Sequence, residues 1–150
     1  MKKVTVFLAA AMLLASSVVF AADNNETRVS SKVKTAFKKD FASANNISWQ
    51  ITNGVFIALF EVNNTQAEAA YNSEGELVAL SKQLNSSDLP LTITLAISKK
   101  YSGYQVAKKA TEITYDKETS YYINIGNDKE VLKLKCSAEG NISIDKKTKK

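Results

Sequence analysis

Tyr71-Asn-Ser-Glu-Gly-Glu-Leu-Val-Ala-Leu80 reads as strand, tight turn and strand, with Gly75 where a positive φ is cheapest. The pattern returns at Cys136-Ser-Ala-Glu-Gly-Asn-Ile-Ser-Ile-Asp145, with Gly140 in the place of Gly75. In each copy Glu-Gly closes a serine-containing turn and an aliphatic residue, Leu77 or Ile142, follows two positions on. The echo implies an internal duplication, so that the halves of the chain share one plan.

Upstream of the first copy, Ser30-Ser31 offers an N-cap, and Val33, Ala36, Phe37 and Phe41 recur at helical spacing. Lys32, Lys34, Lys38 and Lys39 occupy the other faces, which predicts an amphipathic helix of about three turns closed by Asn45-Asn46. Ile47, Trp49 and Ile51 alternate with Ser48, Gln50 and Thr52, the period of a half-buried strand. Asn53-Gly54 is a strong hairpin dipeptide, and Val55-Phe-Ile-Ala-Leu-Phe60 beyond it is apolar on both faces. Asn63-Asn64-Thr65 marks a second turn, and Ala67, Ala69 and Tyr71 lead to the Gly75 hairpin. Residues 29–84 therefore predict a helix followed by a four-stranded antiparallel meander.

After the polar connector Asn85 to Asp88, local signals conflict. Leu91, Ile93, Leu95 and Ile97 alternate with Thr92 and Thr94, as a strand would. Pro90 suits a first helical position, however, and Ile93, Ile97 and Tyr101 recur every four residues. The duplication also places a helix here, and helix is the reading adopted. Strands follow at Tyr104 to Tyr115, Thr119 to Ile125, Val131 to Cys136 and Asn141 to Asp145, with fraying expected from Lys146.

The N-terminus has the pattern of a secretory signal peptide: Lys2 and Lys3, an apolar run from Val4 to Val19, and Val19-Phe20-Ala21 at the exit. Cleavage near Ala21 leaves 22–145 as a single domain of two halves, 29–84 and 89–145, with 146–150 as a basic tail. The expected address is periplasmic or secreted, with no stable membrane anchor after cleavage. The net charge of +5 from 20 basic and 15 acidic residues falls to +3 without Lys2 and Lys3. Setting aside Lys146, Lys147, Lys149 and Lys150 as well brings it to −1, so the basicity sits in the tail. A nucleic-acid partner would call for a basic stripe on the fold, and none is expected. The single cysteine, Cys136, alternates inward with Leu132 and Leu134, which suits a buried thiol and allows no intramolecular disulfide.

Taken together, Phe37 and Phe41, Ile47-Ser-Trp49, Phe56 and Phe60, Tyr71 to Gly75, Leu89-Pro90 with Ile93, Ile97 and Tyr101, Glu112-Ile113, Tyr122 and Gly140 resemble the β-lactamase-inhibitor-like, PepSY-like family of exported bacterial proteins. Ala42 stands where that family often has proline. The resemblance implies an α+β fold, a tandem αββββ repeat with two helices packed on one face of a curved antiparallel sheet. It also implies an inhibitor-like or propeptide-like module that binds proteins, and the expected function is a non-catalytic exported protein-interaction or inhibitor-like domain.

The chain contains no histidine, which removes the commonest general base and transition-metal ligand. No glycine-rich phosphate loop or calcium-loop spacing occurs, so no catalytic residue, metal or cofactor is expected. Glu74 and Glu139 read as exposed turn residues, and Trp49 as core. If Phe56, Ala58, Phe60, Tyr71, Leu77 and Ala79 face the helices, then Val55, Ile57, Leu59, Val78 and Leu80 face away. In the second half the same face would carry Tyr122, Lys133 and Lys135. These eight residues are the candidate binding surface. Its expected occupant is an unidentified protein partner, with a small amphiphile, an envelope component or a second copy of the chain as alternatives.

Overall fold

The computed structural model describes residues 25–150; the signal-peptide reading falls outside them. A short 3-10 turn, Asn25–Arg28, precedes helix α1 (Ser31–Asp40), which is followed by β1 (Asn45–Thr52), β2 (Val55–Val62), β3 (Thr65–Tyr71) and β4 (Leu77–Asn85). A second 3-10 turn, Ser86–Asp88, leads to α2 (Leu91–Lys100) and to β5 (Gln105–Tyr115), β6 (Glu118–Gly126), β7 (Glu130–Ser137) and β8 (Ile142–Lys149). The eight strands form one curved, open antiparallel sheet in sequence order, so every sheet neighbour is also a chain neighbour.

The helix reading of 91–100 holds against its strand-like alternation. Ile93 and Ile97 lie on one side of α2 and are buried, whereas Leu91 and Leu95 project outward at 70% and 60% exposure. Both helices close alike: the Phe41 N–H donates to the Phe37 carbonyl, and the Tyr101 N–H to the Ile97 carbonyl, each at 2.8 Å. Their starts differ, since Ser30 Oγ accepts from the Val33 N–H while Pro90 gives α2 no side-chain cap.

Both helices cover the same sheet face. Val33 and Phe37 of α1 pack on Trp49, Ala58, Phe60 and Tyr71, with the Phe37 ring edge-on to Trp49 at 5.3 Å and to Phe60 at 5.1 Å. Such aromatic pairs contribute about 0.5–1.5 kcal/mol each beyond their buried area. Ile93 and Ile97 of α2 pack on Ile123, Leu134 and Cys136. Leu80 joins the first cluster and Leu84 the second, and both project from one side of β4, which places α1 and α2 together. The Tyr71 hydroxyl donates to Asp40 Oδ2 at 2.9 Å, tying the end of α1 to β3.

The two glycine turns each press on the start of a helix. At Gly75 an added Cβ would stand 3.3 Å from the Lys32 carbonyl oxygen, and at Gly140 2.9 Å from that of Thr92. Both glycines hold positive φ, +75° and +89°, so the close approach and the backbone conformation together require glycine.

Three expectations are corrected. Asn45-Asn46 does not close α1, which stops at Asp40; these residues open β1, with Asn46 at φ 52° beside a register shift. The basic tail does not fray from Lys146. Lys147 pairs with Glu130 at 2.6 Å and Lys149 lies opposite Glu130, so β8 runs on along the β7 edge. A row of lysines on an outermost strand also discourages further strand pairing. The third correction concerns β4: Leu80 faces the helices and Ala79 faces away, the reverse of strict alternation, and Leu77 is 42% exposed. Ala70 pairs with Ala79 but Tyr71 with Leu77, leaving Val78 as the extra residue of a β-bulge. A bulge inverts the faces of everything after it.

Candidate functional site

The sheet face opposite the helices is built by its turns. Asn53-Gly54 sets Thr52 against Val55, and Asn63-Asn64, both at positive φ, sets Val62 against Thr65. With those registers held, alternation turns Ala58 and Phe60 to the helices and Val55, Ile57 and Leu59 to the open side. Ile57 then lies opposite Ala70 and Leu59 opposite Glu68. Across β4 the bulge brings both Val78 and Ala79 to this side, with Ser81 next. On β5, Ile113 packs against the same cluster and Tyr115 lies opposite Ala79 with 44% exposure.

Ile57, Leu59, Ala70 and Ala79 thus form a second apolar cluster, flanked by Val55, Val78 and Ile113. All of its members belong to strands, and neither helix reaches it. Two polar residues are sunk into it side by side: Glu68, 6% exposed, and Ser81, fully buried, lie opposite each other across β3 and β4. Burial pushes the Glu68 carboxyl up to about 7, because the charged form loses water and gains no counter-charge. Among the described residues the Ser81 hydroxyl has no hydrogen-bond partner.

The same face continues through the second half in a different character. Tyr122 lies opposite Thr111 on β5 and opposite Lys135 on β7. Lys133 Nζ sits 5.1 Å from the centre of the Tyr122 ring and 3.6 Å from Asp145 Oδ2. A cation over an aromatic face and beside a carboxylate is attracted by both and held in place. Lys135 stays exposed. One end of the face is therefore apolar with an embedded carboxyl, and the other is aromatic and basic.

The open antiparallel sheet with both helices on one side has clear structural counterparts. A family protein designated DUF2874 from Bacteroides uniformis superposes with TM-score 0.67 at 17% identity, over 80% of this chain and 88% of that one. A BLIP-like protein from Bacteroides fragilis gives 0.66 at 18% identity, over 80% and 85%. The fold is shared with the β-lactamase-inhibitor-like family. A candidate periplasmic protein from Bacteroides eggerthii has it too, with TM-score 0.67 at 16% identity over 81% and 88% of the two chains. No family model and no curated protein sequence matches the chain.

On this sheet, seven of the eight predicted site residues share the open face: Val55, Ile57, Leu59, Val78, Tyr122, Lys133 and Lys135. Leu80 does not. Ile57 and Leu59 are also more deeply set than a plain surface patch would be, at 4% and 9% exposure. Sequence reasoning missed Glu68, Ser81, Ile113 and Tyr115. Glu68 was within reach: the Asn63-Asn64 turn alone puts it opposite Leu59, a lone acid facing an aliphatic row.

The remaining chemistry is quiet. Burial pushes the Cys136 thiol up to about 11, so it stays a neutral core group rather than a nucleophile. Glu74 is held below the usual carboxylate range by Lys32 at 2.6 Å, in an exposed pair that braces the Gly75 turn. Among the described residues no group of three or more His, Cys, Asp or Glu side chains is placed to hold a metal ion. No described helix is long and apolar enough to cross a membrane.

Proposed function

We propose that the protein is an exported, non-catalytic binding module that engages a protein partner through the open sheet face. The observation that carries this reading is the second apolar cluster. Ile57, Leu59, Val78 and Ile113 gather on the side of the sheet away from both helices, where an ordinary open face would be polar. Its length is the second support: the face runs from the apolar strands to Tyr122, Lys133 and Lys135, a breadth suited to a macromolecular surface. The signal-peptide pattern at Lys2 to Ala21 and the candidate periplasmic relative in fold support a periplasmic address. The lack of histidine supports a non-enzyme.

The same reading treats the chain as a tandem αββββ repeat. Its support is the matched seating of Gly75 on Lys32 and Gly140 on Thr92, each at the second residue of its helix.

Site-specific photocross-linking tests the docking face. A benzophenone side chain at Val78 or Tyr122 should trap one protein in the native host, and the same group at the outward Leu95 of α2 should not. Adducts from Leu95 alone would refute the reading. So would lipid or small-molecule adducts alone from Val78, and a second copy of this chain as the only adduct would replace a foreign partner by self-association.

A further inference from the structure

Between β3 and β4 the open face holds an acid without a counter-ion. Glu68 is 6% exposed and takes part in no ion pair among the described residues. Ser81, directly opposite, is fully buried, and its Oγ lacks a hydrogen-bond partner among the described residues. The nearest lysine in sequence to Ser81 is of no help. Lys82 projects to the other side of the sheet and pairs with Glu112 at 3.0 Å. Among the charged groups on that side of β1 to β5, Glu61 accepts from Asn46 Nδ2 and Lys109 donates to Asn85 Oδ1. Neither neutralises Glu68.

A buried carboxylate with no partner is costly, and a lone buried hydroxyl adds to that cost. The larger cost, that of the carboxylate, is relieved by an incoming cation, while the fully buried hydroxyl beside it keeps the floor of the site polar. The surroundings fit the rest of such a group, because Leu59 and Ile113, opposite Glu68 and Ser81 in turn, would line the methylene stem of a long basic side chain. We infer that Glu68, set over the buried Ser81, forms a recognition point for an arginine or lysine side chain of a docking polypeptide. This rests on the reading of the open face as a protein-binding surface and gives that surface its charge rule: a basic residue flanked by apolar ones.

Proton linkage follows. The free carboxyl titrates near 7, whereas pairing with a cation favours its ionised form. Binding should therefore tighten as pH rises from 6 to 8 by about tenfold, then level off.

The test selects a displayed random dodecapeptide library on the purified protein and titrates the best histidine-free peptide made synthetically. Arginine or lysine between apolar residues should be enriched. Replacing that arginine by neutral citrulline, or Glu68→Gln in the protein, should each weaken binding at pH 8 at least tenfold and abolish the pH dependence. Glu68→Asp should recover part of the affinity. Val78→Glu is the control for the face itself, and urea unfolding confirms that each variant folds. If Val78→Glu abolishes binding while the citrulline and Glu68→Gln changes are silent, the face stands and the charge rule falls. If Val78→Glu is silent too, the peptides bind elsewhere and both fall. Spermidine binding at Glu68 as tightly as the peptide would overturn a polypeptide in favour of a small polyamine, and failure to enrich any peptide would overturn the inference outright.

Discussion

Replacing Glu68 by glutamine should make the protein more stable at pH 8 and leave it nearly unchanged at pH 5. Burial raises this carboxyl from 4.5 to about 7 without a hydrogen bond or cation to offset it. A rise of one pH unit corresponds to about 1.4 kcal/mol, so ionising Glu68 costs the fold roughly 3 kcal/mol. The folded state holds the proton more tightly than the unfolded chain does. Stability contributed by the protonated form is therefore complete below the unfolded value, declines between about pH 4.5 and 7, and is gone above. Glutamine carries no charge to desolvate, and the polar burial its amide keeps matches that of the protonated acid, so the two proteins come close together at low pH. The net gain expected for Glu68→Gln at pH 8 is thus about 2–3 kcal/mol. Urea unfolding at pH 5, 6, 7 and 8 measures it as the difference between the two proteins. Glu74, Glu130 and Glu139, which their partners hold below the usual range, are present in both. Their titration cancels in the difference. A difference that stays flat from pH 5 to 8 would show that water reaches the carboxylate freely, and the reasoning about the site would fail with it.

Gly140→Ala should lower stability by about 1–3 kcal/mol, because it combines a φ of +89° with a Cβ 2.9 Å from the Thr92 carbonyl oxygen. Gly75→Ala, at 3.3 Å from the Lys32 carbonyl oxygen, should lose less, and Gly103→Ala, with nothing within 4 Å, should lose only the backbone term; equal thermal shifts would refute the packing argument. Leu80→Ser should cost about 2 kcal/mol by exposing the Trp49 cluster, and Val78→Ser less than about 1 kcal/mol. The reverse order in denaturant unfolding would mean that the β4 bulge is misplaced.

Local chemistry made most of the fold legible. The dipeptides Asn53-Gly54 and Asn63-Asn64 marked two hairpins, and the Glu-Gly turns at Gly75 and Gly140 marked two more, so the antiparallel order followed from neighbours in the chain. The hardest segment, 91–100, yielded to Ile93, Ile97 and Tyr101 at four-residue spacing despite the β-branched residues between them. Buried Trp49 and Cys136 were readable from the alternation of their strands. These are signals of short range, and short range is what a single sequence displays well.

What remained hidden depends on where strands meet. The bulge at Val78 arises because Tyr71 pairs with Leu77 while Ala70 pairs with Ala79, a mismatch between two strands that neither strand's pattern records. It moves Leu80 under the helices and Ala79 to the open face. The extension of β8 to Lys149 likewise needs Glu130, contributed by β7, to hold Lys147. The depth of Glu68 and Ser81 is of the same kind. Composition marks both as polar and suggests solvent, but Leu59 and Ile113 reach them from strands far apart in the chain. Sequence determined the elements and their order; only the assembled sheet decided which side chains share a face and which of them water no longer reaches, because burial is a property of neighbours brought together by register.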